Sequence, residues 1–256
     1  MKLDMLIIDI DDTFVYHRTV AIANKIFLER IYRMFGKKLE GDRLYTTGRS
    51  VLLASKVILL SFWRFRPVET GKFIRLKMVA AWLHLLNMLR QAVNRIKPVM
   101  SNEKMIRLWA DTVEKLEMPA DDYRLSQRAL RQSLRKEPLR QLEKLKKDNK
   151  GLKVVAISQN FAARVDPITE ILGIDAVECN WFLTDRKGRI AGYLLNVKNG
   201  KDKRRIAEKY GGRNVGLIIE NYDDLELLKL KGVRFVMCSK KLKRFVNSRV
   251  ELLTFK

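Results

Sequence analysis

The chain has 256 residues, 47% of them hydrophobic, and a formal net charge of +23. That length and hydrophobicity suit one large domain or a domain with an insertion, and exclude a fibrous or disordered chain. Cys179 and Cys238 lack paired spacing, which excludes a disulfide framework and fits a reducing, cytoplasmic compartment; two histidines leave little material for a zinc cluster or a Ser-His-Asp triad.

Residues 3–9 predict a buried strand. The apolar run is interrupted by Asp4 and closed by Asp9, so it does not read as a signal peptide. Its end, Leu6-Ile7-Ile8-Asp9-Ile10-Asp11-Asp12-Thr13, carries two carboxylates two residues apart. In a strand such residues point to the same side. Two unpaired buried carboxylates cost too much to continue the strand, so it stops here, at the edge where open α/β sheets bind ligands. Two carboxylates beside a cation can divide nucleophilic and acid/base work. They can equally form an Asp-rich turn that stops the strand and caps the next element.

Residues 14–150 read as helix almost throughout, broken at Arg66-Pro67, Lys97-Pro98, Glu137-Pro138 and the loop from Gly36 to Gly48. The expected topology is a helical insertion between the first and second core strands. Between Phe14 and Arg107 there are 19 Lys/Arg and five acids. Such a segment can attract nucleic acid, anionic lipid headgroups or a charged substrate, or be a solvated face. Neither apolar stretch, 51–63 or 78–89, reaches the ~20 residues of a bilayer span. Residues 78–89 are apolar around much of a helix and flanked by Arg75, Lys77, Arg90, Arg95 and Lys97. That pattern fits a helix packed between helices, or one lying on an anionic membrane surface. With no zinc-finger, Gly-rich RNA or helix-turn-helix signal, specific nucleic-acid binding is not expected. The charge alone leaves salt-sensitive, sequence-indifferent binding as the rival function.

From residue 152 onward, β-rich runs (152–158, 177–184, 189–195, 215–220, 233–238) alternate with helical ones (162–172, 202–210, 223–230), which predicts a mainly parallel α/β sheet. Asp185-Arg186-Lys187-Gly188 reads as a hairpin turn, and Gly173 and Gly211 as helix stops. Three places carry chemistry. Val154 to Ser158 is an apolar strand ending in a hydroxyl, which with backbone N–H groups can hold phosphate or merely cap a helix. Asn199-Gly200-Lys201-Asp202-Lys203 opens a helix. Val215 to Glu220 is a strand ending in a carboxylate, with Asp223-Asp224-Leu225 after it.

In order and spacing these motifs resemble the haloacid dehalogenase superfamily, in its phosphoserine-phosphatase-like branch. Asp9-Ile10-Asp11-Asp12-Thr13 is similar to the first motif, Ser158 to the second, Lys203 to the third and Glu220 to Asp224 to the fourth, which usually reads Gly-Asp-Ser-x-x-Asp-Leu and here has Glu for its first Asp. The resemblance covers residues 1–13 and about 135–245. It implies a Rossmann-like three-layer core of residues 1–13 and 151–256, with 14–150 as a helical, basic cap. It also implies a phosphomonoester hydrolase with Asp9 as nucleophile, Asp11 as general acid/base, and Thr13, Ser158 and Lys203 on phosphate. Mg²⁺ would be held by Asp9, the Asp11 carbonyl and Glu220, with Asp224 acting from behind them. Phosphoserine-specific members carry a glutamate early in the cap, whereas residues 14–28 contain no acid. The expected substrate is therefore more anionic, a soluble phosphate ester or a phospholipid headgroup such as phosphatidylglycerophosphate, with peripheral contact to an anionic membrane. The Glu at 220 leaves a catalytically weak, phosphate-binding relative as the alternative.

Overall fold

A computed structural model describes residues 2–10, 13–15, 102–115, 119–120, 130–131 and 134–255 of the chain. Two compact units divide it: Met1–His17, Ser126–Trp181 and Leu194–Lys256 in one, Arg18–Leu125 and Phe182–Tyr193 in the other. These boundaries fall at 17/18 and 125/126 rather than at the expected 13/14 and 150/151. The apolar stretches 51–63 and 78–89, their basic flanks, and Asp11 all lie outside the described residues. Among the described residues no helix is long and apolar enough to cross a membrane.

The first unit carries the core of a seven-stranded sheet in the order β4-β3-β2-β1-β5-β6-β7. The strands are β1 (Met5–Ile8), β2 (Lys153–Phe161), β3 (Ala176–Thr184), β4 (Ile190–Leu194), β5 (Val215–Ile219), β6 (Val233–Ser239) and β7 (Glu251–Phe255). β1 pairs in parallel with β2 and β5, β2 with β3, β5 with β6 and β6 with β7. The α/β class expected from the alternating runs is the class observed. β1 and β5 are buried at every position, as central strands covered on both faces must be, and so read as unbroken apolar runs. Met5, Ile7, Leu217 and Ile219 join one core cluster with Ile206 and Leu227.

Helices α2 (Lys136–Asp148), α3 (Ala162–Leu172) and α4 (Gly200–Tyr210) belong to this unit. α2 buries Pro138, Leu142 and Leu145, and Lys146 Nζ donates to the carbonyl of Leu172 at 2.8 Å. α3 ends at Gly173, whose φ of 59° is the left-handed conformation that glycine adopts without strain. In the second unit, α1 (Asn102–Lys115) carries Asp111, which accepts a hydrogen bond from Tyr193 Oη. The turn at Asp185 closes through bonds from Lys187 N and Arg189 N to Asp185 Oδ1.

Three details depart from the sequence reading. β2 runs on to Phe161 through a register irregularity after Ile157, three residues past the expected end at Ser158, while α3 spans Ala162–Leu172 as expected. Residues Tyr222–Lys229 form a 3-10 helix rather than an α-helix. β7 adds a strand that the sequence reading lacked.

Going along the chain, β2 and β3 are laid on one side of β1, and β5, β6 and β7 on the other. The carboxyl ends of β1 and β5 therefore flank the point where strand order reverses, the place where open α/β sheets open a crevice.

Candidate active site

Asp9 follows β1 directly. Its N–H donates to the Ile218 carbonyl at 2.9 Å, which extends the ladder by one residue and holds the Asp9 side chain at the sheet edge. The chain then turns, with Phe14 N donating to Ile10 O at 3.1 Å. Thr13 comes back buried, its Oγ1 donating to Asp9 Oδ2 at 3.4 Å.

Lys203 reaches the same carboxylate from α4. Asn199 caps that helix by accepting from Asp202 N at 3.1 Å, and Asp202 Oδ2 accepts in return from Lys198 N at 3.1 Å. One turn in, Lys203 Nζ donates to Asp9 Oδ1 at 2.8 Å and to Asp224 Oδ1 at 2.6 Å, with all three side chains nearly or wholly buried. Lys201, two residues earlier on the same helix, is exposed. The glycine three residues earlier has a steric reason: a Cβ on Gly200 would stand 2.0 Å from the Asp223 carbonyl oxygen. Only glycine lets the start of α4 approach the 3-10 helix this closely.

Asp224 explains the four-residue spacing behind Glu220. Its Oδ2 accepts from Asn221 N at 2.8 Å and from Glu220 N at 3.2 Å, which folds the segment back on itself. Oδ1 remains for Lys203. Asn221 Nδ2 donates to Asp9 Oδ2 at 3.3 Å, so the fourth motif touches the first directly. Burial works against the charge on Lys203, but Asp224 and Asp9 outweigh it and hold its pKa above the ordinary lysine value. The ammonium is therefore permanent at any physiological pH.

Ser158 is fully buried, two residues beyond Ala156, the partner of Ile8. Its Oγ accepts from Asn160 N at 3.0 Å. Gln159 Nε2 donates to Asp223 Oδ2 at 3.3 Å and to Lys198 O at 3.1 Å. Buried Asn180 donates to the carbonyls of Gln159 and Val197 and accepts from Val197 N. These amides tie the ends of β2 and β3 to the loops before α4 and after β5.

Glu220 sits in a second group. Its Oε2 accepts from Arg135 Nη1 at 2.9 Å, and its Oε1 lies 3.6 Å from Lys241 Nζ. Arg135 is fixed by its own N–H bond to Phe14 O at 2.8 Å and by its guanidinium over the Phe255 ring at 4.5 Å. A divalent cation would need oxygen donors here. Both oxygens of Asp224 are committed, and those of Glu220 face two cations. The surroundings of Glu220 thus do not fit the ion that the resemblance implies.

The sequence reading named Asp9, Thr13, Lys203 and Asp224, and the structure brings these four together. Ser158 and Glu220 lie at the same sheet edge in their own contacts. It missed Asn221, whose position inside the fourth motif was a usable signal, and Arg135, Lys241 and Asn180, which no local pattern marks.

No family model matches the sequence, and no curated protein is significantly similar to it. Solved structures do match. A phospho-aspartyl intermediate analogue of phosphoserine phosphatase is 14% identical, with 100% of this chain and 95% of that one covered and a TM-score of 0.56. A phosphoserine phosphohydrolase-like protein from Francisella tularensis is 12% identical over 98% of this chain and 94% of its own, with a TM-score of 0.52. A haloacid-dehalogenase-family hydrolase from Salmonella enterica serovar Typhi is 12% identical over 94% and 65%, at 0.50. The chain shares the fold of these phosphatase and hydrolase structures.

Proposed function

We propose that this chain, built on the phosphoserine-phosphatase-like fold, is a phosphomonoester hydrolase that works through Asp9. The observation that carries the reading is the buried Lys203 ammonium shared between Asp9 and Asp224. It sets a buried positive charge directly against the Asp9 carboxylate and aims that charge at the place where an anionic phosphoryl group would approach.

In the proposed reaction an oxygen of Asp9 attacks phosphorus, the P–O bond to the alcohol breaks, and an aspartyl-phosphate forms. Asp11 gives a proton to the departing oxygen. Water then attacks the aspartyl-phosphate, Asp11 takes its proton, and phosphate leaves. Lys203 neutralises charge on both Asp9 and the phosphoryl oxygens. Thr13 and Ser158 donate hydroxyl hydrogens to those oxygens, and Asp224 holds Lys203 in place. Mg²⁺ dependence comes with the resemblance. Because the neighbours of Glu220 do not fit that ion, every step here uses the chain's own side chains.

The substrate class we propose is an anionic phosphate ester. The absence of an acid in residues 14–28 and the basic, apolar segment after them put a phospholipid headgroup such as phosphatidylglycerophosphate among the candidates, next to soluble monoesters. Hydrolysis by the wild type and by Asp9→Asn across a panel of soluble and lipid monoesters tests the reading. The wild type should turn over at least one ester, and the variant should be slower by on the order of 10³ or more. Equal rates would overturn the proposal.

A further inference from the structure

Glu220 gathers two cations where the resemblance implies one divalent ion. With Mg²⁺ bound, a carboxylate carries a local charge of +1. With Arg135 and Lys241 bound instead, Glu220 carries the same +1. The pairing is built in. The Arg135 side chain is 7% exposed and that of Glu220 15%, the guanidinium lies on Phe255, and Ser239 Oγ fixes the Glu220 carbonyl at 3.2 Å. Glutamate is one methylene longer than the aspartate usual at this position, which extends its carboxylate toward such partners. The group is also close to the proposed chemistry. Glu220 and Asp9 follow adjacent parallel strands, paired at Ile8 and Ile218, and the next residue, Asn221, hydrogen-bonds Asp9.

We propose that Arg135 and Lys241, gathered on Glu220, take the electrostatic place of a divalent cation, so that phosphate is captured beside Asp9 and Lys203 without metal. This rests on the reading of Asp9 and Lys203 as a phosphate site. Arg135 and Lys241 are positioning residues in it, supplying charge through Glu220. A metal ligand and a cation anchor respond oppositely to Glu220→Gln. The amide still accepts from Arg135 but leaves the two cations uncompensated, so anion binding strengthens. Loss of a metal ligand would weaken it.

The test is calorimetric titration of the full chain with inorganic phosphate, in Mg²⁺ and in EDTA. The expected wild-type affinity changes by less than about twofold between the two buffers. Glu220→Gln should bind about 2- to 10-fold more tightly in EDTA, and Lys241→Met about 2- to 5-fold more weakly in both buffers. Lys241 is 42% exposed, so its variant decides the matter if Glu220→Gln does not fold. Wild-type binding that falls tenfold or more in EDTA overturns the proposal. So does weaker binding by Glu220→Gln together with loss of a Mn²⁺ resonance signal that the wild type shows. Silence of both wild type and Asp9→Asn on the ester panel would overturn the hydrolase reading alone, because the phosphate isotherms stand apart from turnover.

Discussion

Two carboxylates four residues apart, Glu220 and Asp224, each hold a cation, and they do it in different surroundings. Asp224 is fully buried, shares Lys203 with Asp9, and spends its other oxygen on two backbone N–H groups. Glu220 is partly open, and its two cations come from distant parts of the chain, one buried and one half-exposed. Burial raises both the Coulombic gain and the desolvation cost of an ion pair. The first cluster is therefore expected to be rigid and intolerant of single losses, while the second can exchange partners with solvent. A nucleophile held at fixed geometry needs the first kind of site, and a charge reservoir needs only the second.

The largest effect should come from Lys203→Met. It strands two carboxylates in a dry site, and breaking a buried pair in this way costs about 3–5 kcal/mol. Urea unfolding should show a loss in that range, accompanied by loss of phosphate binding. A loss below about 1 kcal/mol would mean that water or cations reach Asp9 and Asp224 freely.

Arg135→Met should cost less, about 2 kcal/mol, because Glu220 keeps Lys241 and partial contact with water. Lys241→Met, which removes a half-exposed partner, should stay within about 1 kcal/mol. The double variant Arg135→Met/Glu220→Met removes both buried charges at once and should recover most of the single loss. If Arg135→Met and Lys203→Met lost the same stability, the two clusters would not differ as described.

Legibility in the sequence divides along the same line. Asp9, Lys203 and Asp224 lie in short motifs whose spacing is itself the geometry: a strand end, the first turn of a helix, and a carboxylate that folds back on the residues before it. Arg135 is 85 residues from Glu220 and is one of 52 Lys and Arg residues, so no local pattern separates it from the basic background. Asn180 likewise acts on Val197 and Gln159, pairings that only the sheet brings together. The 3-10 form of 222–229 was hidden because Asp224 N bonds the carbonyl three residues back, at Asn221, and apolar periodicity does not report that tightening. β7 was missed because Glu251-Leu-Leu-Thr-Phe is short and half-buried, and only its register with Phe235 to Ser239 makes it a strand.

The smallest effect would sharpen the comparison most finely. Cys238 pairs in register with Ile219, one residue before Glu220. Its thiol is pushed up from 9.0 to about 11, by burial first and by the Glu220 charge second. A raised thiol pKa means that the folded chain keeps a proton that the unfolded chain releases. The contribution to stability is thus complete below about pH 9 and is lost as the pH rises toward 11. In a Cys179→Ala background, thiolate absorbance should place the Cys238 titration lower in Glu220→Gln than in the parent, and still above 9.0, because burial remains. Lys203→Met should leave it unchanged if that variant folds, since neither Asp9 nor Asp224 acts on the thiol. An unchanged titration in Glu220→Gln would show that Arg135 and Lys241 screen Glu220 fully from the strand beside it, and the second cluster would then be as closed as the first.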